Sequence, residues 1–305
     1  MAEPNPSVIF EALSAFQKSY ALKGAIDLDL FTAIAEGTTS AAELARRCSA
    51  SERGIRILCD YLVVTELLTK DGNDYGLPQN SARFLDHNSP AYTGGSAGFL
   101  MHPDYVRAYT DMAAVVRKGG TLLPEGGTVS YDNRVWIDFA RSMGAMAGPC
   151  AAEIATGILP SMGTAPKRVL DLAAGHGLFG IAIAKQYPEA EIVACDWAAV
   201  LQVAEENAVK AGVSGRVTKL AGDAMEVDFG TDFDLVLITN FLHHFDPPVS
   251  EKLLRKVHAA LAPGGHALTV EFVPNDDRIT PPISAAFAGD AGIDTRRRRL
   301  YLCVS

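Results

Sequence analysis

Residues 168–197 read RVLDLAAGHGLFGIAIAKQYPEAEIVACDW, and this stretch decides the fold of the chain. A short apolar run ends around Asp171, Gly175 and Gly177 then open a turn, and a helical pattern follows until a proline stops it. A second apolar run ends at Asp196, and an acid about 20 residues after such a turn commonly binds a pair of ribose hydroxyls. The stretch therefore predicts a strand–turn–helix–strand unit that holds a nucleoside-containing cofactor on an α/β, doubly wound, Rossmann-like sheet.

Asp171 decides between two kinds of cofactor. Gly175, Gly177 and Gly180 loosely reproduce the G-x-G-x-x-G spacing with which dinucleotide folds hold a pyrophosphate at a helix N-terminus. An anion at the end of the preceding strand would repel phosphate, whereas it suits an ammonium group. The segment DLAAGHG, which begins at Asp171, resembles motif I of class I S-adenosylmethionine (SAM) methyltransferases, usually D-x-G-x-G-x-G. Ala173 replaces a glycine of that motif, and we expect a mild change because alanine is nearly as small. The alternative is an ordinary turn of this kind without a ligand.

Composition sets the broad class of the protein. A chain of 305 residues suggests about two domains, and its 48% hydrophobic content is enough for a full core. The net charge of −9 argues against general nucleic-acid binding, which needs a basic surface. No apolar run is long enough to span a bilayer, and the N-terminus lacks a signal-peptide pattern. The five cysteines show no metal-type spacing, so we expect a cytoplasmic protein with reduced thiols.

Residues 1–95 predict a winged-helix domain. Helical patterns are followed by two short strand patterns. The segment Asp71-Gly72-Asn73 lies between these strands and predicts a hairpin turn. A winged helix either binds DNA or serves as a dimerisation scaffold. The candidate recognition helix, residues 52–66, mixes acids with bases and presents no basic face. This mixture favours the scaffold.

The rest of the chain divides into a helical region, residues 96–160, and a SAM-binding domain, residues 161–288. The helical region carries an apolar stripe at near-helical spacing, which can form core or line a pocket. Its members are Trp136, Phe139, Met143 and Met146. The second region alternates strand and helix patterns, which is typical of a parallel, doubly wound sheet. Its predicted strands are 168–173, 191–196, 216–221, 233–239 and 265–273.

Polar side chains recur where these predicted strands end, at the edge where such sheets bind ligands. Asp196 suits the ribose, Trp197 could pack on a purine, and Asp223 suits an adenine amino group. A turn or helix-cap aspartate is the alternative for Asp223. The full set of predicted cofactor contacts is Asp171, Gly175, Gly177, Asp196, Trp197, Asp223, Ala224 and Asn240.

His243 follows the fourth predicted strand and Glu271 lies in the C-terminal part of the fifth; these strands should be neighbours, so both side chains are expected at one rim. Histidine exchanges a proton near neutral pH, and a carboxylate can orient its ring. Methyl transfer to a phenol needs such a base, since the phenolic proton has a pKa of about 10. A structural histidine is one alternative. A metal site with His244 is another, yet neighbouring side chains on a helix diverge and no further ligands stand at suitable spacing, so no metal is predicted.

Motifs along most of the chain are similar to those of bacterial relatives of plant natural-product O-methyltransferases. They include LFTAIAEG, YGLPQNSARFL, WIDFARSM, DLAAGHG and NFLHHFDPPVSEKLLRKVHAALAPGGHALTVEFVPN. The resemblance implies a winged-helix dimerisation domain, a class I methyltransferase domain that binds SAM, and a homodimer. It also implies that His243 is the general base, that Glu271 orients it, and that Met143 lines the acceptor pocket with its neighbours on the stripe. His244 stands where the family usually has Asp, and Phe245 where it has Trp.

The residues leave three functions open. The first is SAM-dependent methylation of a phenolic or enolic hydroxyl on a small aromatic, polyketide-like metabolite. The second is C- or N-methylation on the same fold, in which His243 matters less. The third is a non-catalytic SAM-binding or winged-helix regulator, which would bind DNA with strong salt dependence.

The resemblance ends after about Phe287, where the chain continues AGDAGIDTRRRRLYLCVS. With permitted codons, a reading shifted by one base gives a sequence close to the family's continuation. We hypothesise a frameshift, and the alternative is a genuine basic tail, residues 289–305, that binds anions. We expect this tail to pack poorly and to weaken or abolish activity. The coding DNA decides between the two, because codons that forbid the shifted reading exclude a frameshift.

Overall fold

The computed structural model describes residues 5–120, 122, 135–163 and 165–287. The tail for which we hypothesise a frameshift lies outside these residues, and that hypothesis stays a prediction. The chain forms two compact units, Met1–Ala97 and Gly98–Ser305.

The first unit contains helices followed by a small hairpin, as the winged-helix prediction requires. Its helices are α1 (Ser7–Asp27), α2 (Leu30–Ala35), α3 (Ala41–Arg47), α4 (Glu52–Val64) and α5 (Gln79–Phe84). The antiparallel strands β1 (Thr69–Asp71) and β2 (Asp74–Gly76) form the hairpin. Ser40 and Ser51 begin α3 and α4 by accepting backbone N–H groups, which stabilises the first turn of each helix.

Two basic side chains on and near α4, Arg56 and Lys70, share one acid. Lys70 on the hairpin lies 2.6 Å from Asp60, and Arg56 lies 3.6 Å from the same carboxylate. Tyr75, which is buried, donates its hydroxyl to Asp60 at 2.8 Å. These contacts fix the hairpin on α4 and offset two of the positive charges that a DNA-binding helix would present.

The second unit begins with short helices and continues into a parallel sheet. The helices are α6 (Ala97–Leu100), whose first residue closes the first unit, α7 (Pro103–Tyr109), α8 (Met112–Lys118), α9 (Val135–Ser142), α10 (Gly144–Glu153) and α11 (Leu159–Ser161). The alternating region contains β3 (Arg168–Leu172), α12 (Leu178–Gln186), β4 (Glu191–Asp196), α13 (Ala198–Lys210), β5 (Val217–Ala221), β6 (Phe233–Thr239), α14 (Pro247–Ala260) and β7 (Leu261–Val270).

Among the described residues, the second unit's strands are all parallel and ordered β5-β4-β3-β6-β7. The chain builds outward from β3 through β4 to β5 and then returns to β6 on the other side of β3. The strand order therefore reverses between the neighbouring strands β3 and β6, and ligands of such sheets bind at this reversal, beyond the carboxyl ends of the strands.

The last strand was predicted at 265–273 but lies at Leu261–Val270. Its pairing with β6 shifts register between Phe233 and Leu235, so an irregularity accommodates Pro263 and the two glycines after it. The predicted strand began only at Gly265 and left out Pro263 and Gly264. As a result Glu271 directly follows the strand instead of lying within it.

Apolar side chains cover both faces of the sheet. One cluster joins α12 to β3, with Ile183 and Val169 completely buried, and the other joins α14 to β6, with Leu253 and Val236 completely buried. Among the described residues no helix has the length and apolar character needed to cross a membrane.

Candidate active site

The turn after β3 carries three residues with left-handed backbone at alternate positions. Ala173 has φ 50°, Gly175 has φ 56° and Gly177 has φ 71°. An L-residue other than glycine is strained in this region by about 1–2 kcal/mol. The expectation that Ala173 is a mild replacement is therefore wrong, because the position selects glycine for backbone conformation and not for size.

The glycines of the turn have different neighbours. A Cβ added to Gly177 would lie 2.9 Å from the Ala204 Cβ on α13, and one added to Gly180 would lie 2.6 Å from the Ile192 side chain on β4. These two glycines allow the start of α12 to pack closely against α13 and β4. A Cβ at Gly175 would lie 3.8 Å from the Ala173 carbonyl oxygen and 3.8 Å from the Phe139 ring, which is ordinary contact, so close packing does not require glycine here.

Asp171 is completely buried at the end of β3. Its Oδ2 accepts the Gly180 N–H at 3.0 Å, while Oδ1 is buried without a hydrogen-bond partner among the described residues. Burial raises the pKa of this carboxyl to about 7, against the lowering effect of the Gly180 hydrogen bond. The Nδ1 atom of His176 accepts the Leu178 N–H at 3.2 Å. Two N–H groups at the start of α12 are thus occupied by side chains, which disfavours a pyrophosphate there.

Asp196 ties the end of β4 to the turn. Its Oδ2 accepts the Gly175 N–H at 2.8 Å, and its Oδ1 accepts the Trp197 N–H at 2.7 Å. Burial raises the pKa of Asp196 to about 6. The structure thereby brings Asp171, Gly175 and Asp196 together around one turn. The indole of Trp197 packs beside Ala140 and Val200, between α9 and α13.

The loop after β5 holds the next predicted pair. Asp223 is exposed, and its Oδ1 accepts the Met225 N–H at 2.8 Å in a tight turn. Ala224 is buried in the cluster under α14, and its carbonyl accepts from Lys256 at 3.0 Å. Ala224 was predicted to contact the cofactor. Because its side chain is buried and its carbonyl accepts from Lys256, its backbone N–H is the group left for such a contact.

Asn240 ends β6 beside the reversal of strand order. Its backbone has φ 52°, and its N–H donates to Val270 O at 2.7 Å. Its Oδ1 is buried and has no hydrogen-bond partner among the described residues. Asp171 and Asn240 thus place unsatisfied oxygens at the ends of the two central strands. Buried polar atoms without a partner are uncommon, and a bound polar ligand is one way to satisfy them.

His243 and Glu271 form a close pair at the rim formed by β6 and β7. The Nδ1 atom of His243 lies 2.7 Å from Oε2 of Glu271, and the two side chains are only 13% and 10% exposed. The other oxygen of Glu271 accepts the Leu242 N–H at 2.7 Å. The carboxylate is thus fixed by the short 3₁₀ turn Leu242–His244 that carries the histidine. With Nδ1 facing the carboxylate, Nε2 is the ring atom left for proton transfer.

His244 does not diverge from His243 as predicted. The two ring centroids are 4.2 Å apart, because the pair lies in a single 3₁₀ turn whose directions an α-helix does not dictate. His244 is buried, with Trp136 edge-on at 5.3 Å, and burial lowers its pKa well below the usual value. No group of three or more potential metal-binding side chains occurs in the described part of the chain.

The four side chains of the predicted apolar stripe lie in different surroundings. Trp136 contacts His244, and Phe139 lies 5.5 Å from Trp136 and 6.3 Å from the His176 ring. Met143 is half-buried between α9 and α10, whereas Met146 is 56% exposed. Trp136 and Phe139 therefore stand next to the candidate base and the glycine turn respectively.

Sequence reasoning missed a second set of aromatic rings. Phe287 lies edge-on to His243 at 5.1 Å and packs on Phe272 at 4.4 Å. Phe99 lies edge-on to Phe139 at 5.0 Å. The position of Phe272 directly after Glu271 is the signal that could have identified it.

Two family models match the chain. Residues 10–87 match an O-methyltransferase dimerisation domain, and residues 169–265 match a methyltransferase domain.

Individual proteins match over nearly the whole chain. The solved structure of a candidate O-methyltransferase from Nostoc punctiforme is 46% identical with a TM-score of 0.91, covering 96% of this chain and 87% of that one. TcmO, a tetracenomycin polyketide synthesis 8-O-methyl transferase of Streptomyces glaucescens, is 28% identical and covers 92% of this chain and 82% of its own length. Human N-acetylserotonin methyltransferase, solved in complex with SAM, shares the fold at 21% identity with a TM-score of 0.81, covering 97% and 90% of the two chains.

Proposed function

The chain belongs to the SAM-dependent O-methyltransferase family, and we propose that it methylates a phenolic or enolic hydroxyl of a small aromatic, polyketide-like metabolite with His243 as general base. The observation that carries this proposal is the 2.7 Å contact between His243 and Glu271 at the edge of the sheet where ligands bind.

The residues at the glycine turn fit SAM better than a dinucleotide. The unpartnered Oδ1 of Asp171 suits the ammonium group of a methionine moiety, and the carboxylate of Asp196 suits ribose hydroxyls. Trp197, Asp223 and the backbone at Ala224 are the groups proposed for the adenine. When bound, SAM supplies a methyl group on a positively charged sulfur, which an oxygen nucleophile can attack.

The chain's own part in the reaction is to hold the acceptor and move one proton. Nε2 of His243 accepts the proton of the acceptor hydroxyl, which leaves the electron pair of that bond on oxygen. Glu271 keeps Nδ1–H directed toward itself and stabilises the imidazolium that results. General-base help of this kind contributes about 10²–10⁴ in rate.

The aromatic rings next to the base are proposed as the walls of the acceptor pocket. Trp136 and Phe139 are both half-buried, and Phe287 meets the ring of His243. Flat rings pack on aromatic side chains in offset or edge-on arrangements, so this lining favours a planar acceptor. Met143 is proposed to complete the wall.

A homodimer through the first unit is the second part of the proposal. All of residues 7–20 of α1 except Ser14 are exposed, so this part of the helix packs little against the other described residues. Its exposed apolar side chains are Val8, Ile9, Phe10, Leu13, Phe16 and Tyr20, with exposures of 51–69%. An apolar surface of this extent on a soluble domain marks an interaction site. A second copy of the same helix is the occupant that the match to a dimerisation domain supports.

Calorimetry with SAM, followed by a mass-shift screen of phenolic and enolic acceptors, tests the proposed activity. We expect SAM binding and a gain of one methyl group on a hydroxyl. His243→Ala separates the alternatives: it should remove most turnover of an O-methyltransferase and spare that of a C- or N-methyltransferase. DNA binding with a steep salt dependence, and no product with any acceptor, would support a regulator instead.

A further inference from the structure

We propose that Lys256 is a positioning residue for the cofactor site, which holds the loop of Asp223 in place from α14 without contacting the cofactor itself. The inference rests on the proposed function, because it assumes that this loop borders the adenine of SAM.

The loop is closed by two kinds of hydrogen bond. On its inner side, the carbonyl of Asp223 accepts the N–H groups of Glu226 and Val227 at 2.9 and 2.8 Å, and the Asp223 side chain accepts from Met225. These bonds define the turn itself. They do not attach it to the rest of the domain.

The Gly222 N–H attaches the start of the loop to the Asp196 carbonyl at 3.1 Å, and Lys256 supplies a second attachment, from α14. Its Nζ donates to the carbonyl of Ala224 at 3.0 Å and to the carbonyl of Val227. The same ammonium lies 4.1 Å from the centroid of the Phe229 ring, a cation–π contact. Among the described residues, no carboxylate lies within ion-pair distance of Lys256, and its hydrogen bonds go to the carbonyls of this loop.

The surroundings of Lys256 make the attachment rigid. Leu253 and Val257 on α14 are buried with Ala224 and Phe229 in one apolar cluster. The half-buried lysine is therefore held along its stem while its head reaches the two carbonyls. Without the ammonium, the Ala224 carbonyl would be left buried without a donor, and the loop would relax to find one.

The same helix also carries the catalytic turn. Asp246 begins α14 only three residues after His243, and Lys256 lies about 15 Å further along the helix axis. One helix thus joins the turn that carries the base to the loop proposed to border the adenine. Lys256 is placed to keep the two ends of the cofactor site at a fixed spacing.

The test compares Lys256→Met, which keeps the stem and removes the donors, with Lys252→Met as the control on the same helix. Lys252 is exposed and lies one turn earlier. We expect the affinity for SAM, measured by calorimetry, to fall about tenfold in Lys256→Met and by less than about twofold in Lys252→Met. At saturating SAM, kcat should change by less than about threefold, so the effect lies in KM for SAM. Lys256→Arg, which retains donors and charge, should recover most of the affinity.

Several outcomes overturn the proposal. Equal SAM affinity in Lys256→Met and the parent protein would show that the loop needs no clamp. A loss confined to kcat would place the effect at the reacting atoms instead. If Lys256→Met does not fold, two other variants decide. Lys256→Arg should retain most of the SAM affinity. In Lys256→Gln, amide hydrogen exchange of residues 222–230 should become faster, and unchanged exchange there refutes the clamp. A parent protein that binds no SAM at all refutes the proposed function, and that result differs from all of these.

Discussion

Nδ1 of His243 and Oε2 of Glu271 lie 2.7 Å apart, while Oε1 of the same carboxylate accepts the Leu242 N–H. The carboxylate accepts hydrogen bonds only, so the proton of the neutral ring resides on Nδ1. Nε2 is then an acceptor directed away from the carboxylate. The pair therefore fixes the ring tautomer as well as the ring orientation.

Glu271→Gln should reverse this tautomer. Its amide oxygen can still accept from Leu242, but its NH₂ group then faces Nδ1 and requires Nδ1 to be the acceptor. Nε2 would carry the proton and could no longer act as a base. We expect kcat to fall by about 10²–10⁴, with SAM affinity changed by less than about threefold. Steady-state kinetics and calorimetry measure the two effects. Glu251→Gln, on the exposed side of α14, is the control, and equal rates in both variants would contradict the assignment.

The stability of the cofactor-free protein should fall as the pH rises. Burial raises the pKa of Asp171 to about 7 and that of Asp196 to about 6, so the folded state holds protons that the unfolded chain has lost. The contribution is complete below about pH 4 and is lost as the pH passes through about 7. For Asp171 it amounts to at most about 4 kcal/mol. Urea unfolding across this range measures the free energy of unfolding.

Asp171→Asn should flatten that pH dependence, since its amide oxygen can still accept from Gly180 and the side chain does not ionise. Asp276→Asn, at an exposed site, should leave it unchanged. A pH dependence that persists in Asp171→Asn would mean that another group is responsible.

Ala173→Gly should stabilise the protein by about 0.5–1 kcal/mol. Relief of the left-handed strain, worth about 1–2 kcal/mol, exceeds the added freedom of glycine in the unfolded chain. Ala174→Gly, at the adjacent buried position, lacks that benefit and should destabilise by about 1 kcal/mol. Thermal or urea unfolding distinguishes the two, and equal destabilisation in both would disprove the backbone explanation.

Leu13→Asp should convert the proposed dimer to a monomer. Leu13 is 69% exposed in the single chain, and a charge at this position would be buried without a partner in a helix–helix interface. Sedimentation of the variant should show the mass of one chain. Ser19→Asp adds the same charge at a polar, exposed position of α1 and serves as control. A parent protein that sediments as a monomer refutes the dimer directly.

Phe139→Ala and Met146→Ala should differ in their effect on the acceptor. Phe139 stacks near His176 and touches Phe99 and Trp136, whereas Met146 is 56% exposed on α10. We expect KM for an acceptor found in the screen to rise about tenfold or more in Phe139→Ala and less than about twofold in Met146→Ala. The reverse order would move the acceptor pocket toward α10.

The prediction that His243 and Glu271 meet was possible from sequence because it used only strand order. Parallel neighbours end at one edge, so residues that follow β6 and β7 must emerge together. The detail that Glu271 also holds the Leu242 N–H could not be predicted, because it depends on the 3₁₀ turn between two longer elements.

The errors have a common physical origin. The strain at Ala173, the closeness of the His243 and His244 rings, and the start of β7 all depend on backbone angles of residues outside regular helix or strand geometry. Periodicity and residue type identify the elements well, since apolar spacing dictates which face is buried. They say little about connections, where a single dihedral angle redirects a side chain.

The candidate base and its carboxylate are 28 residues apart in sequence, at the two ends of the segment that contains α14 and β7. Their pairing arises only when β7 docks beside β6, which aligns Thr239 with Val270 just before Asn240 and Glu271. A chain that has collapsed but has not yet docked β7 beside β6 possesses both residues of this pair and lacks a positioned base. Recovery of activity during refolding should therefore trail the formation of secondary structure and coincide with the docking of β7, so that the enzyme reports on this folding step.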